Sequence, residues 1–261
     1  MRIARTIRDL RAGLGPGRIG LVPTMGAFHA GHLSLFRAAR TDCDLVVVSL
    51  FVNPAQFGAN EDLARYPHDA ARDRRLAEIE GVDLLFVPSV QEMYPAGFGT
   101  WVSVDDTGSE GVVRPGHFRG VATVCLKLLN IVRPDVAYFG QKDAQQAAVL
   151  RRMVRNLDLE VELRILPTVR DEDGLALSSR NVYLSPAERE RALALPRALE
   201  AGRAAHIRGS DPVEAARAEL NGLEPDYVEL VDVEGAVVLA TAARVGATRL
   251  IDNIVLEGEL R

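Results

Sequence analysis

The chain has 261 residues, 48% hydrophobic and 26% charged, with a formal net charge of −5. That composition excludes an intrinsically disordered chain and argues against a nucleic-acid-binding surface, which calls for a basic domain. The length allows one large domain or two modest ones, each with its own core. The two cysteines, Cys43 and Cys125, form no CxxC pair and no disulfide framework, and read as buried residues in a reducing compartment. No apolar run reaches the ~18 residues of a membrane span. The stretch Met1-Arg2-Ile3-Ala4-Arg5 is not followed by the apolar segment of a leader, so a cytoplasmic protein is expected.

In chain order, residues 2–18 read as a short helix and a Gly/Pro loop. That loop formally matches GxGxxG over Gly15–Gly20, but its glycines precede a strand, whereas a dinucleotide fingerprint follows one. A strand at 19–23 leads through Pro23-Thr24-Met25-Gly26-Ala27-Phe28-His29-Ala30-Gly31-His32 into a helix at 31–40. Residues 44–52 are a continuous β-branched run, as in a strand buried on both faces of a parallel sheet. A charged helix is expected from Asn60 or Glu61 to Glu80, a strand at 82–87, a helix at 119–131, a strand at 136–139, a helix at 143–157 and a strand at 161–166. This βα repetition predicts an α/β fold, a Rossmann-like doubly wound parallel sheet over residues 1–168. Ser185-Pro186-Ala187-Glu188 then forms a capping box opening a helix to about Ile207, and Asp211-Pro212 opens another. Three strands follow, at 227–232, 237–243 and 249–255. Residues 169–261 are therefore expected to form a smaller C-terminal α+β domain, with the boundary near Pro167–Asp173.

The chain lacks a Walker A pattern, but four stretches with phosphate- or substrate-binding character sit after predicted strands or at the domain junction. In the first, His29 and His32 flank a helix N-terminus, whose free N–H groups and dipole favour anions. Gly26 and Gly31 permit close backbone approach there. A structural histidine pair or two metal ligands are the alternatives, and no further Cys/His cluster completes a metal site. The second stretch, Phe51–Phe57, offers Asn53 and Gln56, neutral donors and acceptors suited to a hydroxy acid, or else a plain Asn-Pro turn. The third, Gly140-Gln141-Lys142-Asp143 with Gln145 and Gln146 beyond, offers a point charge for phosphate, or else a surface lysine and a helix cap. The fourth, Leu177-Ser178-Ser179-Arg180, is either a donor cluster for a triphosphate or an ordinary loop.

Taken together, these stretches, with Arg114-Pro115-Gly116-His117-Phe118 and Thr248–Asn253, resemble the pantothenate synthetase (pantoate–β-alanine ligase) family of the HxGH nucleotidyltransferase superfamily. The resemblance covers nearly the whole chain. It implies an ATP-dependent ligase that condenses (R)-pantoate with β-alanine to pantothenate through a pantoyl adenylate, releasing pyrophosphate and AMP. ATP, with Mg²⁺, would lie against Met25, Gly26, Ala27, Phe28, His29, Ala30, Gly31 and His32. Gly140, Gln141, Lys142, Asp143, Val169, Leu177, Ser178, Ser179 and Arg180 would complete that site. Gln56, Gln146 and Asn53 would bind pantoate and β-alanine, and His32, His29, Lys142 and Arg180 would be catalytic. His32 matches the residue usually assigned as proton donor, and the resemblance assigns no protein ligands to Mg²⁺. It further implies a homodimer acting on small molecules, without nucleic acid or membrane. Two departures are Gln141, where the family usually has Glu, and Phe28, where leucine is more common. A nucleotidyltransferase that leaves the adenylyl group on its product, or a non-catalytic adenine-nucleotide-binding module, are the competing functions.

Overall fold

The computed structural model describes residues 1–59, 61–105, 108–220 and 222–260. Its first layer is a six-stranded, all-parallel sheet in the order β1-β4-β3-β2-β5-β6. The strands are β1 (Arg2–Ala4), β2 (Ile19–Thr24), β3 (Leu45–Leu50), β4 (Leu84–Phe86), β5 (Val136–Gly140) and β6 (Glu162–Leu166). The central strands are apolar on both faces because helices cover both. Val22, Val46 and Val48 pack with Phe36 of α2 (Ala30–Asp42) and Ala77 of α3 (Ala70–Ile79). Leu21 and Val47 point the other way, onto Val124 and Leu128 of α6 (His117–Val132) and Leu150 of α7 (Ala144–Asn156). The chain builds outward from β2 to β3 and β4, then crosses back to β5 beside β2. The crevice at the C-terminal ends of β2 and β5 is therefore the topological switch point, where such sheets bind ligands.

Three sequence expectations change. Residues 2–18 contain β1 before the helix α1 (Ile7–Arg11), which Thr6 caps by accepting from the Asp9 N–H at 3.0 Å. A three-residue strand is too short to show alternation, and β1 exists because it pairs with Leu84–Phe86. The long charged helix from 61 to 80 is instead a 3₁₀ turn at Leu63–Arg65 followed by α3, capped by Asp69. Pro67 accounts for the break: it lacks the helical N–H donor and pushes Tyr66 out of the helical region. Asn60, the other expected start, lies outside the described residues. The helix opened by Ser185 divides into α8 (Pro186–Ala192) and α9 (Ala194–Ile207). Pro196 in the first turn of α9 cannot donate to the Ala192 carbonyl and crowds it. Two helices in the stretch between 88 and 116 had no sequence signal: α4 (Val90–Met93) and α5 (Gly108–Val113).

The C-terminal strands β7 (Pro225–Val233), β8 (Ala236–Val245) and β9 (Thr248–Glu257) form an antiparallel sheet in the order β7-β8-β9. One face holds Val228, Leu239 and Leu250 against Leu195 and Leu199 of α9 and Ala216 of α10 (Pro212–Glu219). The other face turns toward the parallel sheet, where Val233 and Val238 meet Ala144 of α7. Both cysteines are buried and unpaired.

Candidate active site

A cavity of about 250 Å³ opens at the switch point between the two sheets. His29, His32, Asn53, Gln56, Lys142, Gln146, Val169 and Ser178–Arg180 all line it, so the four stretches singled out in the sequence meet at one place. Met25, Gly31, Gly140, Asp143 and Leu177 line it as well. Gly26, Ala27, Phe28 and Ala30 shape its turn from behind, and Gln141 sits beside Lys142, turned toward β9.

The His29 turn is built by its backbone. Gly26 and Ala27 take φ of 90° and 52°, a left-handed pair that aims successive N–H groups the same way. Those of Ala27 and Phe28 donate to the carboxylate of Asp73, at 2.8 and 2.7 Å. Asp73 comes from α3, and no local pattern marked it in the sequence. Phe28 is buried edge-on against Phe36, so the larger ring in place of leucine fits the core.

His29 is the N-cap of α2. Its Nδ1 accepts from the Gly31 N–H at 3.2 Å, and Nδ1 of His32 accepts from the His29 N–H at 3.3 Å. A nitrogen that accepts from a backbone N–H carries no proton, so in each neutral ring the proton sits on Nε2. Burial is the main cause holding both rings neutral. It brings His29 down to about 4, helped by the charge of Lys142, and holds His32 well below the usual value, with His29 and Lys142 adding to the effect. The pair thus offers two neutral N–H donors beside the ammonium of Lys142.

On the far wall, half-buried Arg180 makes a fork with Asp62, its Nε and Nη2 each 2.8 Å from a carboxylate oxygen, over the ring of Tyr66. The Ser179 hydroxyl donates to the Ala27 carbonyl at 3.3 Å, tying the Ser-Ser-Arg loop to the His29 turn. Gln141 donates to Asn253 of β9 at 3.2 Å, while the Asn253 amide donates back to the carbonyls of Gln141 and Lys142. Asp252 beside it holds Arg170 bidentately, at 2.7 and 3.0 Å. The hydroxyl oxygen of Thr168, in the cavity wall, is buried with no protein partner among the described residues.

A third group was quoted in the sequence only as part of a resemblance or not at all. Glu110 of α5 receives a fork from Arg249 of β9 at 2.9 and 2.7 Å, the Tyr227 hydroxyl at 3.0 Å and Arg114 at 3.3 Å. Burial alone would raise the Glu110 carboxyl, but Arg249 and Arg114 outweigh it and bring it down to about 2. Arg114 also forks onto Glu61, and His117 Nδ1 donates to the Gln56 carbonyl at 2.9 Å. Apart from Arg114–Glu110, four residues apart, these contacts join segments more than 50 residues apart in the chain, which is why sequence spacing does not reveal them. Among the described residues no three His, Cys, Asp or Glu converge as a metal site, and no helix is long and apolar enough to cross a membrane.

The family model for pantoate-beta-alanine ligase matches residues 2–255. The chain is 54% identical over 280 residues to pantothenate synthetase of Heliobacterium modesticaldum, covering 98% of this chain and all of that one. It is 51% identical over 290 residues to that of Acidobacterium capsulatum, covering 98% and 97%. The fold is similar to the crystal structure of pantothenate synthetase from Thermus thermophilus, with a TM-score of 0.95 and 47% identity over 99% of this chain and all of that one. It is also similar to pantoate-beta-alanine ligase from Francisella tularensis, solved in complex with beta-gamma ATP and beta-alanine, with a TM-score of 0.86 and 34% identity over the whole of both chains.

Proposed function

This chain belongs to the pantoate-beta-alanine ligase family, and on that premise we propose that its cavity condenses (R)-pantoate with β-alanine through a pantoyl adenylate. A carboxylate oxygen of pantoate attacks the α-phosphorus of ATP and pyrophosphate leaves. The β-alanine amine then attacks the carbonyl carbon of the mixed anhydride, and AMP leaves with the bridging oxygen. Carrying this reading is the convergence on one cavity of the His29 and His32 Nε2–H donors, Lys142 and the Ser178–Arg180 loop. All are donors or cations, suited to phosphate oxygens that gain charge as pyrophosphate departs.

ATP is placed against residues 25–32, 140–143, Val169 and 177–180, with pantoate and β-alanine toward Gln56 and Gln146. Mg²⁺ would enter with the nucleotide, and Asp143, the cavity carboxylate beside Lys142, would be the side chain to help hold it. Mg²⁺ would supply charge neutralisation on the phosphates. Because His32 is held neutral, its role is to donate a hydrogen bond to the developing charge, not to deliver a proton as imidazolium. Residues 1–168 are read as the ATP- and pantoate-binding domain and 169–261 as a lid domain that brings Ser178–Arg180 to the triphosphate. The family likeness adds the expectation of a cytoplasmic homodimer, checked by light scattering of the purified chain.

The test is pantoate-dependent exchange of pyrophosphate into ATP, followed by AMP release only when β-alanine is added. Nucleotide retained on the final product would sink the ligase reading, and ATP binding without turnover would leave a non-catalytic module. His32→Ala and Lys142→Ala are each expected to lose roughly 2.7–4 kcal/mol of transition-state stabilisation, as for removal of an oxyanion-type donor. A loss in kcat/KM smaller than about tenfold, with the fold intact, would count against either role.

A further inference from the structure

Behind the cavity wall, outside its lining, Tyr94 follows α4 and donates its hydroxyl to Oδ1 of Asn53 at 2.7 Å. Asn53 is 1% exposed and directly follows the buried strand β3 and Phe51-Val52. Its Oδ1 also accepts from the Ala55 N–H at 3.3 Å, and its Nδ2 donates to the Gly120 carbonyl at 3.2 Å and to Oε1 of Gln56 at 3.0 Å. An asparagine amide has two donor hydrogens and two acceptor lone pairs. All four are used here, so Asn53 has no hydrogen-bonding capacity left for a ligand.

The polarity of this chain of bonds is forced. The Ala55 N–H can only donate and the Gly120 carbonyl can only accept, so the Asn53 amide has one satisfactory orientation. Its remaining N–H then requires an acceptor, which orients Gln56 with Oε1 toward Asn53. Gln56 lines the cavity, and its amide nitrogen, with no protein partner among the described residues, is the group left for a ligand. Tyr94 is itself held in place, stacked on Trp101 at 6.1 Å and edge-on to Phe98 at 5.0 Å. Burial pushes its hydroxyl up to about 12, so it remains a donor through the neutral range.

We propose that Tyr94 is a positioning residue that acts through Asn53 to fix Gln56 as a pure hydrogen-bond donor toward the carboxylate and hydroxyl oxygens of pantoate. The assignment of pantoate rests on the function proposed above, while the relay rests on the 2.7 Å bond by which Tyr94 anchors an amide whose polarity Ala55 and Gly120 already set. Asn53, counted among substrate-binding residues from the sequence, acts in this proposal one step behind the substrate.

Tyr94→Phe removes the hydroxyl and keeps the ring packing. It is expected to raise the KM for pantoate roughly 3- to 10-fold, the effect of one net hydrogen bond. The kcat and the KM for ATP should stay within about twofold, a change too small to register as a lost hydrogen bond. The same substitution in a Gln56→Ala background should have no further effect, because the group it positions is gone. An equal effect in both backgrounds, or a parallel loss in the KM for ATP and in kcat, would show a merely structural tyrosine and overturn the relay. If Gln56→Ala raises the KM for pantoate and Tyr94→Phe does not, the relay alone fails. If Gln56→Ala leaves that KM unchanged, the placement of pantoate fails and the proposal falls with it.

Discussion

The two histidines at the start of α2 show how much one residue's role depends on its proton. A protonated His32 could act as an acid, but both Nδ1 atoms accept from backbone N–H groups and burial holds both rings neutral. A general acid working from imidazolium would give kcat/KM an inflection near the ordinary histidine pKa of about 6.5. Here the profile should run flat through that region, with the His29 limb appearing only on acidification toward about 4. Loss of activity with a midpoint between about pH 6 and 7 that disappears in His32→Asn would contradict this assignment. The same depressed value affects stability. The unfolded chain takes up the proton first, so stability is fully present above the unfolded pKa and falls as pH drops from about 6.5 toward 4. His117, also brought down to about 4 by burial and Arg114, acts in the same direction. At Gln141 the departure from the usual glutamate has a local counterpart. Its Nε2 donates to Oδ1 of Asn253, whose own amide N–H groups are occupied by two backbone carbonyls. A carboxylate there would face that acceptor with another acceptor.

At the level of elements, packing against the turn that carries Gln56 depends on one missing side chain. Gly120 of α6 faces the 3₁₀ turn Pro54–Gln56, and a Cβ built on it would lie 2.2 Å from the Ala55 carbonyl oxygen. The obstacle is backbone, so relief requires moving the turn or the helix. Gly120→Ala is therefore expected to cost about 1–3 kcal/mol in denaturant unfolding, despite alanine's better helix propensity. The KM for pantoate should rise with it, because Gly120 also supplies the carbonyl that orients Asn53. A variant as stable as the parent would show that α6 has room to shift. The elements that sequence patterns revealed were those whose burial is periodic or continuous, such as Leu45–Leu50 and α6. The pattern hid β1, which exists through its partner strand, and the interruptions at Pro67 and Pro196, where a single residue overrides an otherwise helical composition.

Across the whole molecule, the motif residues were legible because each group is contiguous in the chain, three of them following a strand end and the fourth, Leu177–Arg180, lying farther beyond β6. Their supports were not, because contacts such as Glu110–Arg249 span 139 residues. Glu110 ties α5 to the C-terminal sheet, and Glu110→Gln would leave Arg249 and Arg114 without their shared counter-charge. Arg249 keeps Asp226 and Arg114 keeps Glu61, so a loss of about 1–3 kcal/mol is expected in chemical unfolding at neutral pH. In the parent, that contribution should be present above pH 4.5 and fade as the pH falls toward about 2, because the folded carboxyl is depressed. A second long-range pair bears on ligand entry. Asp62 occupies both N–H groups of the Arg180 fork, the geometry by which a guanidinium would also grip a phosphate. If Arg180 binds the triphosphate through this same edge, ATP must displace the internal carboxylate from those donors. The pair is only partly exposed, with side-chain exposures of 26% and 15%, so its strength lies toward or above the ~1 kcal/mol upper value for surface pairs. Asp62→Ala should then lower the KM for ATP roughly 3- to 10-fold, with Arg180 freed for the nucleotide. Tyr66 would keep the guanidinium stacked from its other side. A raised KM for ATP would instead mean that Asp62 holds Arg180 in its binding pose and that phosphate joins the pair without displacing it.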